Sequence, residues 1–129
     1  MKTYFSNLEK PKVPVAELTV LNPTKTKKKE VLFLIDTGFA GGLLLPLRTY
    51  LELGLNLFEE PKVRGRLATG LEVELRVSKA IVKIGNEEVL CNAYTALGVV
   101  RSLIGRQVLS KTALEYAPKE DVLVLRADP

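Results

Sequence analysis

Val31-Leu32-Phe33-Leu34-Ile35-Asp36-Thr37-Gly38 decides how this chain folds. Five apolar residues in a row read as a strand buried on both faces. The run ends in a carboxylate, a hydroxyl and a glycine. An ionised carboxylate against an apolar strand is costly unless it is paired or shares a proton. The chain has three aspartates, and Asp121 and Asp128 lie near the C-terminus, so only Asp36 is embedded in an apolar run. Taken alone, Asp36 also suits an Asx-type turn, in which the carboxylate accepts a local hydrogen bond.

Upstream, residues 1–12 read as a loose or edge segment. Val13 to Leu21 is β-rich, with Pro14 confining it to an edge or a strand start. Asn22-Pro23-Thr24 begins a turn, and Lys25-Thr26-Lys27-Lys28-Lys29 reads as an exposed hairpin loop. Downstream, Leu43-Leu44-Leu45 is a short buried strand. Pro46 and Gly54 bracket a helix whose apolar side is Leu47, Tyr50, Leu51 and Leu53. Asn56 to Pro61 reads as a connector.

Two hairpins come next. Val63 to Thr69 leads through Gly70 into Leu71-Glu72-Val73-Glu74-Leu75-Arg76-Val77, which alternates strictly and predicts one buried and one wet face. Ala80 to Ile84 and Glu87 to Cys91 flank Gly85-Asn86, a pair suited to a type II′ turn. Arg106 to Lys111 predicts a short helix with Val108 and Leu109 inward. Leu114 to Tyr116 and Val122 to Leu125 read as closing strands. Many short strands, tight turns and two short helices predict a mainly β sandwich or barrel.

With 129 residues, the expectation is a single domain over 1–129 with a real core. Hydrophobic residues make up 47% and charged residues 26%, as in globular domains. No histidine is present, which removes Ser-His-Asp and Cys-His catalysis and histidine metal sites. Cys91 is the one cysteine; it reads as a buried, inert thiol compatible with a reducing compartment. No apolar run approaches the ~20 residues of a membrane span. Met1-Lys2-Thr3-Tyr4-Phe5 lacks the apolar region of a signal peptide. A cytoplasmic protein is the expectation.

Ile35-Asp36-Thr37-Gly38, then Gly42-Leu43-Leu44-Leu45-Pro46, resembles the active-site turn of retropepsin-like aspartic proteases. Leu103-Ile104-Gly105-Arg106 resembles the second signature of that family. The resemblance runs from Val13 to Leu125. It implies a closed β-barrel or sandwich of the acid-protease type with one or two short helices. It also implies an aspartic endopeptidase that is a homodimer, because the chemistry needs two carboxylates and one chain offers one. Asp36 would be the catalytic acid/base, and Thr37 would lock the paired loops. Gly38 would let the carboxylates approach, and Leu103, Ile104 and Gly105 would support the loop. Ala68-Thr69-Gly70-Leu71 occupies the position of the flap that closes over a peptide or protein substrate. No metal and no cofactor are implied.

One departure stands out. Phe39 follows Asp-Thr-Gly where that family usually has Ala or Ser, so its ring would narrow the cleft or line a substrate pocket. It favours an alternative reading, a catalytically silent dimerisation or peptide-binding domain on the same fold. Nucleic acid is not an expected partner. The aromatics are not interleaved with the lysines, as stacking platforms would be.

Overall fold

The computed structural model describes residues 1–66 and 69–127. Ten strands carry most of the chain: β1 (Lys2–Ser6), β2 (Val13–Leu21), β3 (Lys28–Ile35), β4 (Leu43–Leu44), β5 (Glu59–Arg66), β6 (Glu72–Ile84), β7 (Glu87–Thr95), β8 (Leu103–Ile104), β9 (Ala113–Ala117) and β10 (Val122–Arg126). Helix α1 (Leu47–Glu52) follows β4, and α2 (Arg106–Leu109) follows β8. The fold is mainly β, as the pattern of short strands predicts.

One sheet runs in the order β1-β2-β3-β8-β4-β7-β6-β5, and β2 also pairs with β6. The pairings therefore run from β2 through β3, β8, β4, β7 and β6 and return to β2. β9 and β10 form a separate two-stranded sheet. Leu18, Phe33, Leu43, Tyr50, Ile104 and Leu125 are among the fully enclosed side chains at the centre. Two buried polar residues close turns and crossings. Asn22 Oδ1 accepts from the Thr26 N–H at 2.9 Å, and Thr95 Oγ1 donates to the Leu45 carbonyl at 2.7 Å.

Strand β3 differs from the expectation of burial on both faces. Val31, Phe33 and Ile35 are buried, whereas Leu32 is 41% exposed and Leu34 half-buried. The core lies on one side of this strand only, so the apolar run alternates like any half-buried strand. Lys28 and Lys29 belong to β3 and not to the loop before it. Lys25 pairs with Glu88 at 2.6 Å and Lys29 with Glu52 at 3.3 Å.

Three further expectations are corrected. Leu71–Val77 and Ala80–Ile84 are not separate strands; β6 is continuous over 13 residues, with Ser78 buried between them. Asn56–Pro61 is no plain connector, because a 3-10 turn covers Leu55–Phe58 and β5 starts at Glu59. Leu51 faces solvent while Tyr50 and Leu53 turn inward, since a six-residue helix presents only a narrow buried stripe. Gly85 turns the β6–β7 hairpin with φ +61°, the left-handed conformation needed at the first turn position. No helix among the described residues is long and apolar enough to cross a membrane.

A polar cluster fastens the base of the β5–β6 hairpin to α1. Arg76 donates to Glu59 from Nε at 2.7 Å and from Nη2 at 2.9 Å, and the Tyr50 hydroxyl donates to the same carboxylate at 3.1 Å. The Arg76 guanidinium also lies 5.7 Å from the Tyr50 ring centroid. The Arg76 hydrogen bonds hold the Glu59 carboxyl below the ordinary carboxylate range. Burial, with the nearby Glu59 charge, pushes the Tyr50 phenol up.

Two stability measurements follow from this packing. Phe33→Ala should cost about 3–5 kcal/mol in urea unfolding, and Leu32→Ala less than about 1 kcal/mol, because only Phe33 leaves a cavity. Glu59→Gln should lower the melting temperature by several degrees at neutral pH. A depressed folded-state pKa contributes stability above the unfolded carboxylate pKa and loses it as pH falls through the folded value. The gap between wild type and Glu59→Gln should therefore close in acid; a gap that is constant with pH would remove the ion pair as its cause.

Candidate active site

Asp36 sits one residue beyond the end of β3, but the ladder continues through it. Its N–H donates to the Ile104 carbonyl at 2.9 Å, just as the Leu34 N–H donates to Ser102 at 2.9 Å. The alternation of β3 thus extends to Asp36 and puts its carboxylate on the face that carries Leu32 and Leu34. The carboxylate is half-buried, and Oδ1 accepts from the Gly38 N–H at 2.9 Å. This is the Asx-type turn that Asp36 suits on its own, and it aims one oxygen of the group.

The loop after Asp36 is held by the residues around Leu103-Ile104-Gly105. β8 lies between β3 and β4, parallel to the first and antiparallel to the second. The Gly105 N–H donates to Gly42 at 2.8 Å, and the Arg106 N–H to Phe39 at 2.8 Å. Ile104 is fully buried beneath the loop. Gly105 has no room for a side chain, since a Cβ there would meet the Phe39 and Gly41 carbonyl oxygens. The two signatures, far apart in sequence, form one hydrogen-bonded unit.

Thr37 and Gly38 are exposed at the surface of this unit. The Thr37 carbonyl accepts from Arg106 Nη1 at 2.7 Å. Phe39 turns its ring onto Tyr94 of β7 in an edge-to-face contact, with centroids 6.1 Å apart. The same ring crowds Gly41, where a Cβ would stand 2.6 Å from Phe39 Cζ and 2.7 Å from Tyr94 Cε2. Small residues at 41 and 105 are what let a large ring follow Asp-Thr-Gly.

A groove of about 290 Å³ opens on the Asp36 face of β3. It is lined by Leu8, Val15, Leu32, Leu34 and Val100, with Arg101 beside them. Arg101 donates to Glu9 at 2.9 Å and so ties the N-terminal segment to the loop before β8. Phe39 is not among the lining residues. Reading the sequence missed this groove. Strict alternation from Val31 would have flagged Leu32 and Leu34, but Leu8 and Val100 carry no local signal.

The β5–β6 hairpin carries Thr69, Gly70 and Leu71 exposed near its tip, with Leu71 at 63%. Ala68 lies outside the described residues. Lys62 pairs with Glu74 at 3.4 Å across the hairpin, and Arg64 and Arg66 pair with Glu72 at 3.5 and 3.4 Å. Such exposed pairs add little stability each, but they leave the outer strand β5 charged and averse to edge pairing. Cys91 is buried on β7, and burial pushes its thiol up to about 12, so the thiolate is suppressed.

No family model and no curated protein matches the chain. Solved structures do match it. A retropepsin-like aspartic protease from Rickettsia conorii aligns over 98% of this chain and 89% of its own, with a TM-score of 0.70 and 17% identity. EIAV protease, in complex with an inhibitor, aligns over 81% of this chain and 90% of its own, with a TM-score of 0.57 and 21% identity. The Asp36 loop, the β8 strand that holds it and the sheet around them are thus parts of a retropepsin-like aspartic protease fold.

Proposed function

We propose that this chain is an aspartic endopeptidase that acts as a homodimer. The observation that carries the reading is the Asp36 carboxylate, aimed by the Gly38 N–H on the face of β3 whose Leu32 and Leu34 line an apolar groove. The fold shared with two aspartic proteases supports it. Each chain contributes one such carboxylate, so a two-fold axis past Asp36 brings two together. Two carboxyl groups about 3 Å apart do not both ionise readily and hold one proton between them. The ionised member takes a proton from water as the water attacks the scissile carbonyl. The protonated member hydrogen-bonds the carbonyl oxygen and passes its proton to the developing oxyanion. The pair's titration steps belong to the dyad and not to either residue.

Residues 1–129 act as one domain in this reading, in a cytoplasmic setting consistent with a lone buried thiol. Thr37 joins the two loops across the axis, and the β9–β10 sheet offers backbone edges for the subunit contact. An extended peptide lies across the face carrying Asp36 and Leu34, and the hairpin tip from Ala68 to Leu71 closes over it. The groove then receives an apolar side chain next to the scissile bond.

The test is cleavage of a mixed peptide library by wild type and Asp36→Asn, from mildly acidic to neutral pH. Wild type should cut and Asp36→Asn should stay folded and inactive, because the amide cannot cycle a proton. Equal cleavage by both would refute the role of Asp36. Sedimentation at micromolar concentration should give a dimer mass, and a monomer there would sink the shared-site mechanism. A dimer that cuts nothing would point to the silent peptide-binding reading.

Cut sites should carry large apolar residues beside the scissile bond. Leu34→Ser should lower kcat/KM for such peptides by about tenfold or more. An unchanged value would detach the groove from substrate.

A further inference from the structure

The groove beside Leu34 has a floor and two walls of different origin. Its floor is strand: Val15 of β2 pairs with Leu34 of β3, and Leu32 continues the row. Its walls are loop. Leu8 comes from residues 7–12, which join β1 to β2, and Val100 from residues 96–102, which join β7 to β8. Leu8 is 61% exposed and Val100 84%, so burial fixes neither wall. An ion pair ties the two loops together. Arg101 Nη1 donates to Glu9 Oε1 at 2.9 Å, across 92 positions of sequence. Each member is the chain neighbour of a wall residue, Glu9 of Leu8 and Arg101 of Val100. Arg101 is also the charged residue of the lining, and Glu9 is not part of that lining.

We propose that Glu9 and Arg101 form a specificity-determining latch on the groove. The proposal rests on the aspartic-peptidase reading for its meaning in substrate choice. The latch does two things. It holds together the loops that carry Leu8 and Val100, so the walls stay in place around an apolar side chain. It also neutralises the guanidinium at the rim, so a charged side chain entering the groove finds no partner. Leaving the wrong group unpaired is how a site rejects it. Without the Glu9 charge, Arg101 is free to pair with a substrate carboxylate. Without the Arg101 charge, Glu9 is free to pair with a substrate cation. Both side chains are about half exposed, so the latch has the strength of a surface pair and weakens in salt. It therefore shifts preference by a few-fold and opens readily.

The test uses the full chain with Glu9→Gln, Arg101→Gln and the double variant Glu9→Arg with Arg101→Glu. Backbone nitrogen relaxation reads the latch with no substrate present. The order parameters of Leu8 and Val100 should fall in both single variants and return toward wild type in the double variant. Asn86, in the β6–β7 turn, should not change. Raising salt from about 0.1 M to about 1 M should lower the two values in wild type and leave the single variants as they are. Unchanged order parameters in both single variants would overturn the latch, whether or not any peptide is cleaved. The second readout compares cleaved peptides that differ only beside the scissile bond. In Glu9→Gln the kcat/KM for leucine relative to glutamate should fall about threefold or more. In Arg101→Gln the ratio for leucine relative to lysine should fall similarly, and the double variant should restore both. Wild-type ratios in both single variants would overturn the role in specificity. Failure of wild type to cleave would count against the peptidase reading alone, and relaxation would still decide the latch.

Discussion

Everything about Asp36 depends on a two-residue strand. Leu103–Ile104 is too short to stand alone, yet it lies between β3 and β4 and hydrogen-bonds to both. It satisfies the Asp36 N–H through the Ile104 carbonyl, and the residues after it hold the Phe39 and Gly42 carbonyls. A loop of this kind would otherwise leave several backbone groups near the core without partners. The constraint explains the glycines nearby. Gly105 stands where two carbonyl oxygens converge, and Gly41 leaves room for the Phe39 and Tyr94 rings.

The same strand that builds the core also builds the site. Phe33 and Ile35 point into the interior, while Leu32, Leu34 and Asp36 point the other way. Core packing on one face therefore fixes the groove and the carboxylate on the other, with no extra element required. The β5–β6 hairpin shows a different balance. Its base is fastened by Glu59, Arg76 and Tyr50, whereas Thr69, Gly70 and Leu71 near its tip are exposed.

The Rickettsia conorii and EIAV proteases share 17% and 21% of aligned residues with this chain, and the architecture is nevertheless common to all three. Backbone pairing and a buried apolar pattern tolerate wide substitution when volume is kept. Chemistry is less tolerant, which is why the proposed function is argued from Asp36, Gly38 and their neighbours and not from the fold.

Some of this was legible in the chain itself. Ile35-Asp36-Thr37-Gly38, Leu103-Ile104-Gly105, the helix between Pro46 and Gly54 and the Gly85-Asn86 turn are written in adjacent residues. Each depends on local stereochemistry or on a short apolar pattern. The one-sided burial of β3 was not legible, because a run of apolar residues looks the same whether one face or two are covered. The unbroken length of β6 was hidden too, since Ser78 and Lys79 interrupt its pattern but not its ladder. Arg106 reaches Thr37 across 69 positions, and Leu8 meets Leu34 and Val100 in one groove. Such contacts exist only once the strands are paired, because the register of the sheet decides which distant residues become neighbours.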